Sequence, residues 1–287
     1  MVSSNIGFLQ KKCTQVRLGI MDQTAVSGSG HLGPTFSATE LLVALYYSFL
    51  NVDGANPEWP DRDRFVLSKG HACSAVYPIL ADLNFFDSSH LQTFTRLNSI
   101  LGDHPDFKKI PGFDFSSGSL GHGLSVACGM AEALRFQGKE SRVVAMVGDG
   151  EQNEGQIWEA AGYAGFRKLS NLLCICDRNQ VCVDGRTEEI MGVDPMADRW
   201  KAFGWHVDEI DGHDLPAILD RLDQFERRRR EGGKPTFIVA NTISGKGVDF
   251  IEDQAVWHLG YLHGEDAENA RRQILDMYTE TTGEPVQ

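Results

Sequence analysis

A chain of 287 residues with 41% hydrophobic content can bury a large core, as one big α/β domain or two small ones, and nothing in it suggests disorder. Its 40 acidic residues against 27 basic ones give a net charge of −13, which disfavours non-specific binding to nucleic acid or an anionic membrane. No apolar run approaches the roughly 20 residues that span a bilayer, the N-terminus with Lys11 and Lys12 has no secretory pattern, and the six cysteines lack C-x-x-C spacing, so a cytoplasmic protein is expected.

Helical spacing covers residues 5–25. Gly28-Ser29-Gly30-His31-Leu32-Gly33 then satisfies G-x-G-x-x-G, with Asp53 downstream, but a dinucleotide site needs a strand immediately before the glycines and this one follows a helix. A second helix is expected over 37–50 and a strand over 64–67. The turn Ser68-Lys69-Gly70-His71 leads into a helix over 71–85, which puts His71 near a helix N-terminus at an edge of the sheet. Asp103-His104-Pro105 follows in a loop. Gly118-Ser119-Leu120-Gly121-His122-Gly123 opens a helix over 123–137, where glycines let main chain approach a flat ring; His122 either faces a site or supports the turn.

A strand over 142–147 ends at Gly148-Asp149-Gly150, a helix covers 156–169, and a strand over 172–177 ends close to Asn179. Further along, helices over 195–203, 215–230 and 265–278 alternate with strands over 205–210 and 236–241. Arg227 to Arg230 form a dense basic cluster inside a charged helical run and read as a solvated helix face. Gly245-Lys246-Gly247 either places an ammonium near phosphate or forms a mobile surface loop. Alternation of helix and strand from residue 64 calls for a mostly parallel sheet covered on both faces. Without a repeat or a Pro/Gly/Ser-rich linker, residues 1–287 are expected to be a single domain.

The most informative unit is the βαβ segment from residue 142 to 179. A right-handed crossover brings the carboxyl ends of both strands to the same edge, where ligands bind in open α/β folds, so Asp149 and Asn179 are expected to meet. A hard divalent cation wants such oxygen donors: one carboxylate, one amide and the main-chain carbonyl of Val181 would leave about three of six sites for water and the two oxygens of a diphosphate. Gly148 and Gly150 let backbone approach the phosphate, and the helix after Gly155 turns its positive end toward it.

Gly148-Asp149-Gly150, answered some thirty residues on by Asn179, resembles the thiamine diphosphate and magnesium motif, and the string Gly148 to Ala161 most resembles transketolases. The likeness runs from about residue 15 to 265, through five motifs. It implies a thiamine diphosphate-binding fold, thiamine diphosphate as cofactor and Mg2+ or Ca2+ held by Asp149, Asn179 and Val181. It also implies that His31, His71, His104 and His258 face the ketose donor, hydrogen-bonding its hydroxyls and moving protons, with His71 and His258 near the diphosphate; His263 is a competing claimant for the position of His258. Gly118 and Leu120 would flank the aminopyrimidine, Glu154 would face a partner, and Lys246 is carried among the cofactor-contacting residues.

One departure bears on function. Single-chain transketolases are more than twice as long and carry a pyrimidine-binding domain with an activating glutamate. The chain therefore resembles the N-terminal subunit of a split transketolase, whose C-terminal subunit would complete the site in a heterotetramer. Two alternatives stand beside it: the α subunit of a 2-oxo acid dehydrogenase, with a similar Gly-Asp-Gly motif, and a catalytically silent scaffold subunit. Ser68-Lys69-Gly70-His71 and Gly30-His31-Leu32-Gly33 favour transketolase over the dehydrogenase.

Overall fold

Five runs form strands: four are apolar and buried on both faces, while the edge run His206–Asp211 is polar and only partly covered. They are β1 (Arg64–Leu67), β2 (Val143–Gly148), β3 (Leu172–Arg178), β6 (His206–Asp211) and β7 (Thr236–Asn241). All pair in parallel in the order β1-β2-β3-β7-β6. The side-chain period of two is visible along β2, where Val143, Ala145 and Val147 pack into one layer and Val144 and Met146 into the other. A short antiparallel hairpin, β4 (Val181–Cys182) with β5 (Gly185–Arg186), stands apart from this sheet. The computed structural model describes residues 6–283.

Helices cover both faces. One layer holds α1 (Ile6–Ser27), α2 (Leu32–Ser37), α3 (Thr39–Ala44) and α4 (Cys73–Asp82); the other holds α5 (Gly123–Phe136), α6 (Gly155–Arg167) and, after the short α7 (Thr187–Met191), α8 (Met196–Ala202). Returning to the first layer, α9 (Leu215–Glu231) and α10 (Gly264–Thr282) complete the cover. The chain thus leaves β1 toward α4 on one face and β2 toward α6 on the other. Adjacent strand ends diverging in this way open a crevice at the carboxyl edge. No helix among the described residues is long and apolar enough to cross a membrane.

All five strands lie within a residue of expectation, and the N-terminal helix begins at Ile6, Asn5 lying outside the described residues. The stretch expected as one helix over 37–50 differs. It is α2, α3 and a π-turn, Leu45–Phe49, with a break at Ala38. Ser37 Oγ lies 3.1 Å from the Pro34 carbonyl and Thr39 Oγ1 3.2 Å from that of Thr35, contacts of the kind that compete with helical hydrogen bonds and bend helices. The hairpin and α7 have no counterpart among the expected elements, because their pairing is too short to leave a periodic pattern.

Trp200 of α8 ties the second layer to the sheet and to the loop after β2. Its ring stacks on Phe237 with centroids 3.8 Å apart, meets Trp205 edge-on at 4.8 Å, and its Nε1 donates to Gln152 Oε1 at 2.9 Å. Trp200→Ala is expected to lower unfolding free energy by about 3–5 kcal/mol, the usual cost of emptying a buried aromatic site. Urea unfolding followed by far-UV circular dichroism measures the loss.

Candidate active site

The crevice at the carboxyl edge is a cleft of about 340 Å³ that brings together His31, His71, His104, Gly118, Leu120, Gly148, Asp149, Gly150, Asn179, Val181 and His258. These come from seven separate segments of the chain. Parallel strand ends, rather than sequence proximity, collect them.

Asp149 follows β2 and is 3% exposed. Its Oδ2 accepts from the Gln180 backbone N–H at 2.9 Å and from Thr187 Oγ1 at 3.0 Å. Gln180 sits in the left-handed region, φ 60, which a side-chain-bearing residue adopts only under constraint; here it aims a main-chain donor at the carboxylate. Burial, reinforced by the neighbouring Asp177 carboxylate, raises the Asp149 carboxyl to about 6. Asn179 completes the pair of strand ends, accepting at Oδ1 from the Val181 N–H (3.1 Å) and donating from Nδ2 to Ser37 Oγ (3.1 Å).

Beneath them lies a charge pair that sequence reasoning missed. Lys69, 1% exposed, binds Asp177, which has no exposed surface, and also donates to the Pro34 carbonyl at 3.2 Å. Thr242 and Ser37 donate to the same carboxylate, Ser37 at 2.7 Å. The available signal was Lys69 in the turn after β1 and Asp177 at the end of β3, since a charge at a buried strand end needs a partner at the same edge. Glu151, also missed, staples three loops: it accepts from the Ser68 hydroxyl, from Gly121 N–H at 2.8 Å and from Gly148 N–H at 3.0 Å. Burial pushes its carboxyl up.

The four expected histidines cluster. His31 lies 5.2 Å from His71, 5.9 Å from His104 and 5.9 Å from His258 between ring centroids, and His71 lies 5.5 Å from His258. Burial, then Lys69 and the other rings, holds His71 well below the usual imidazole range, and burial with His31 takes His258 to about 4. Burial also lowers His104. These three rings are therefore neutral near pH 7, each offering one donor and one acceptor. The Nδ1 atoms of His31 and His258 are buried without a hydrogen-bond partner among the described residues. The His31 Nδ1 lies 3.4 Å from Asp103 Oδ1, and that ring keeps the Asp103 carboxyl below its ordinary value.

Other expected residues fall elsewhere. Lys246 does not reach the cleft; its ammonium lies 3.4 Å from Glu252 and it borders a second cavity of about 410 Å³ beside Arg17, Glu40 and His213. Glu154 is exposed at the start of α6, packed against Gly121, where φ 85 and the nearness of the Glu154 Cβ both demand glycine. His122 is exposed at the N-terminus of α5 and His263 is exposed at that of α10, so of the pair His258 and His263 it is His258 that lines the cleft.

A thiamine diphosphate and a divalent cation fit this donor set. A Cβ on Gly148 would meet no protein atom closer than 3.8 Å and one on Gly118 none closer than 3.4 Å, so packing within the chain does not demand glycine at either place, whereas a ligand's close approach would. The buried Asp149 carboxylate and the unpartnered imidazole nitrogens likewise call for a cation and for hydroxyl groups.

Comparison with known proteins points to the same organic cofactor. The family described as "Transketolase, thiamine diphosphate binding domain" matches residues 9–281. The chain is 42% identical to a 6-deoxy-6-sulfo-D-fructose transketolase subunit of Clostridium sp. over 87% of its own length and 90% of the relative's. It is 37% identical to an apulose-4-phosphate transketolase subunit of Actinobacillus succinogenes, covering 93% and 96% of the two chains. Among solved structures it superposes on transketolase from Campylobacter jejuni with a TM-score of 0.84 at 28% identity; this match covers 99% of the chain but 44% of that larger protein.

The histidine cluster carries a pH signature. Because burial depresses His258 from 6.5 to about 4, its neutral form stabilises the fold above about pH 6.5 and that contribution is lost as pH falls toward 4. Asp149, raised from 3.8 to about 6, acts in the opposite sense, adding stability as pH falls through 6. His258→Asn is therefore expected to reduce acid sensitivity by on the order of 2 kcal/mol between pH 6.5 and 4 relative to the unaltered chain. Thermal melts of both proteins across that window test it; parallel curves would remove His258 as the cause.

Proposed function

We propose, from the premise that the chain belongs to the transketolase family through its thiamine diphosphate-binding domain, that it is the diphosphate-binding subunit of a split transketolase. In this reading residues 1–287 act as one domain in the cytoplasm and transfer a two-carbon ketol unit from a ketose donor to an acceptor. The observation that carries it is the convergence of Asp149, Asn179 and four histidines on one cleft. Bound thiamine diphosphate would supply the carbanion chemistry of the transfer. Asp149, Asn179 and the Val181 carbonyl would hold Mg2+ or Ca2+ against its diphosphate, with Gly148 and Gly150 giving backbone access. The neutral rings of His71, His104 and His258, with His31, would orient the donor's hydroxyls and relay protons between them. Gly118 and Leu120 would lie along the aminopyrimidine.

In this reading the glutamate that activates that ring comes from a C-terminal subunit with a pyrimidine-binding domain, meeting this chain near Glu154 in a heterotetramer. Among the described residues lining the cleft, Lys69 supplies the permanent cation, and Asp177 neutralises it. An anionic group at the far end of a donor sugar would therefore be gripped by the partner, while this chain reads hydroxyls.

Asp149→Ala is expected to abolish metal-dependent thiamine diphosphate binding in the assembled complex while leaving the far-UV spectrum of the chain unchanged. Titration calorimetry with Mg2+ present checks this, and unaltered cofactor affinity would refute the metal role. The purified chain alone is expected to show no ketol transfer from ketose phosphate or sulfonate donors, with activity appearing on addition of the partner; steady turnover without it would overturn the split-site reading.

A further inference from the structure

We infer that Ser37 is a positioning residue for Asn179, and that the buried Lys69–Asp177 pair acts on the metal site through it. The inference rests on the proposed role of Asn179 as a metal-holding amide. Ser37 has no exposed surface, and its Oγ lies 2.7 Å from Asp177 Oδ2, 3.1 Å from the Pro34 carbonyl and 3.1 Å from Asn179 Nδ2. A hydroxyl has one proton. The Pro34 carbonyl already accepts from Lys69 Nζ at 3.2 Å, and a carboxylate is the stronger acceptor, so the Ser37 proton goes to Asp177.

What Ser37 then presents to Asn179 is a lone pair, which accepts only. The amide must turn its NH2 toward Ser37 and its oxygen toward the Val181 N–H, 3.1 Å away. Both ends of the amide are read. A flipped amide would set an NH2 group where a cation needs an oxygen and would leave two donors facing each other at Val181. Thr242 holds Asp177 Oδ1 and Lys69 shares Oδ2 with Ser37, which fixes the carboxylate with Oδ2 aimed at Ser37. The ion pair thus selects the amide orientation from two bonds away, as outer partners of metal ligands do elsewhere.

The test uses Mn2+ as the probe, counted as free ion by electron paramagnetic resonance, with thiamine diphosphate and the partner subunit present. Ser37→Ala is expected to weaken Mn2+ binding about 10- to 100-fold, the usual effect of losing an outer partner. The informative background is Asn179→Asp, whose two carboxylate oxygens are equivalent and need no orientation. There the same Ser37→Ala change is expected to cost less than about threefold, a strong departure from additivity. Equal losses in both backgrounds would mean a general structural defect, and no loss in the native background would mean Ser37 does not orient the amide; either overturns the inference. Should Ser37→Ala not fold, Ser37→Cys keeps the shape with a weaker acceptor and is expected to weaken Mn2+ binding in the Asn179 background alone. If the unaltered complex binds no Mn2+ in the presence of thiamine diphosphate, the metal reading itself fails and the inference falls with it.

Discussion

A carboxylate with no exposed surface must find its compensation inside the protein, and Asp177 arranges the carboxyl edge of the sheet around that demand. Lys69 from the end of β1, Ser37 from α2 and Thr242 from the end of β7 all turn toward it. Three elements that are remote in sequence are thereby held at one point. The second carboxylate, Asp149, is buried nearby without an ammonium of its own, and its raised proton affinity shows that the protein alone does not fully satisfy it. That difference separates a structural acid from one available to a ligand.

Around this pair the cleft is held open by hydrogen bonds rather than filled by packing. Glu151 pins the loops that bear Ser68, Gly121 and Gly148, and the strained backbone at Gln180 supplies a donor to Asp149. The rings of His71, His104 and His258 lie 5.2 to 5.9 Å from that of His31, with His258 buried and His104 at the exposed rim. Four close imidazoles are tolerated because burial and Lys69 suppress protonation of His71 and His258, which would otherwise repel one another as cations. The neutral His258 ring keeps an acceptor nitrogen, and its buried Nδ1 has no hydrogen-bond partner among the described residues. A cleft of this kind is suited to hydroxyl-rich molecules, and organising its groups before the ligand arrives lowers the cost of binding.

Much of the architecture was legible from local pattern. Four of the five strands could be placed to within a residue because a parallel strand covered on both faces is a continuous apolar run; the partly exposed edge strand His206–Asp211 is marked instead by its place in the alternation of helix and strand. The rule that ligands gather at the carboxyl ends of parallel strands is enough to bring Asp149 to Asn179. Less was legible where hydroxyl groups compete for the backbone, as in the broken helix after Leu32, or where elements are too short for periodicity, as in the hairpin beyond Asn179. Lys246 illustrates a third difficulty. Glycines on either side suggest a loop near phosphate, yet the loop turns away, and its main-chain carbonyl accepts from the buried Arg17 at 2.9 Å.

The sequence by itself determined the alternation of strand and helix, the edge at which chemistry gathers, and the strand-end pair Asp149 and Asn179, because each follows from short-range periodicity and the handedness of a crossover. Only the tertiary structure decided which charges compensate one another. The pairing of Lys69 with Asp177, the choice of His258 over His263 and the orientation of Asn179 by Ser37 depend on separations of a few ångströms between residues more than 100 positions apart: 108 for Lys69 and Asp177, 142 for Ser37 and Asn179. Coulombic and hydrogen-bond energies fall off over those distances in space, and no pattern along the chain encodes them.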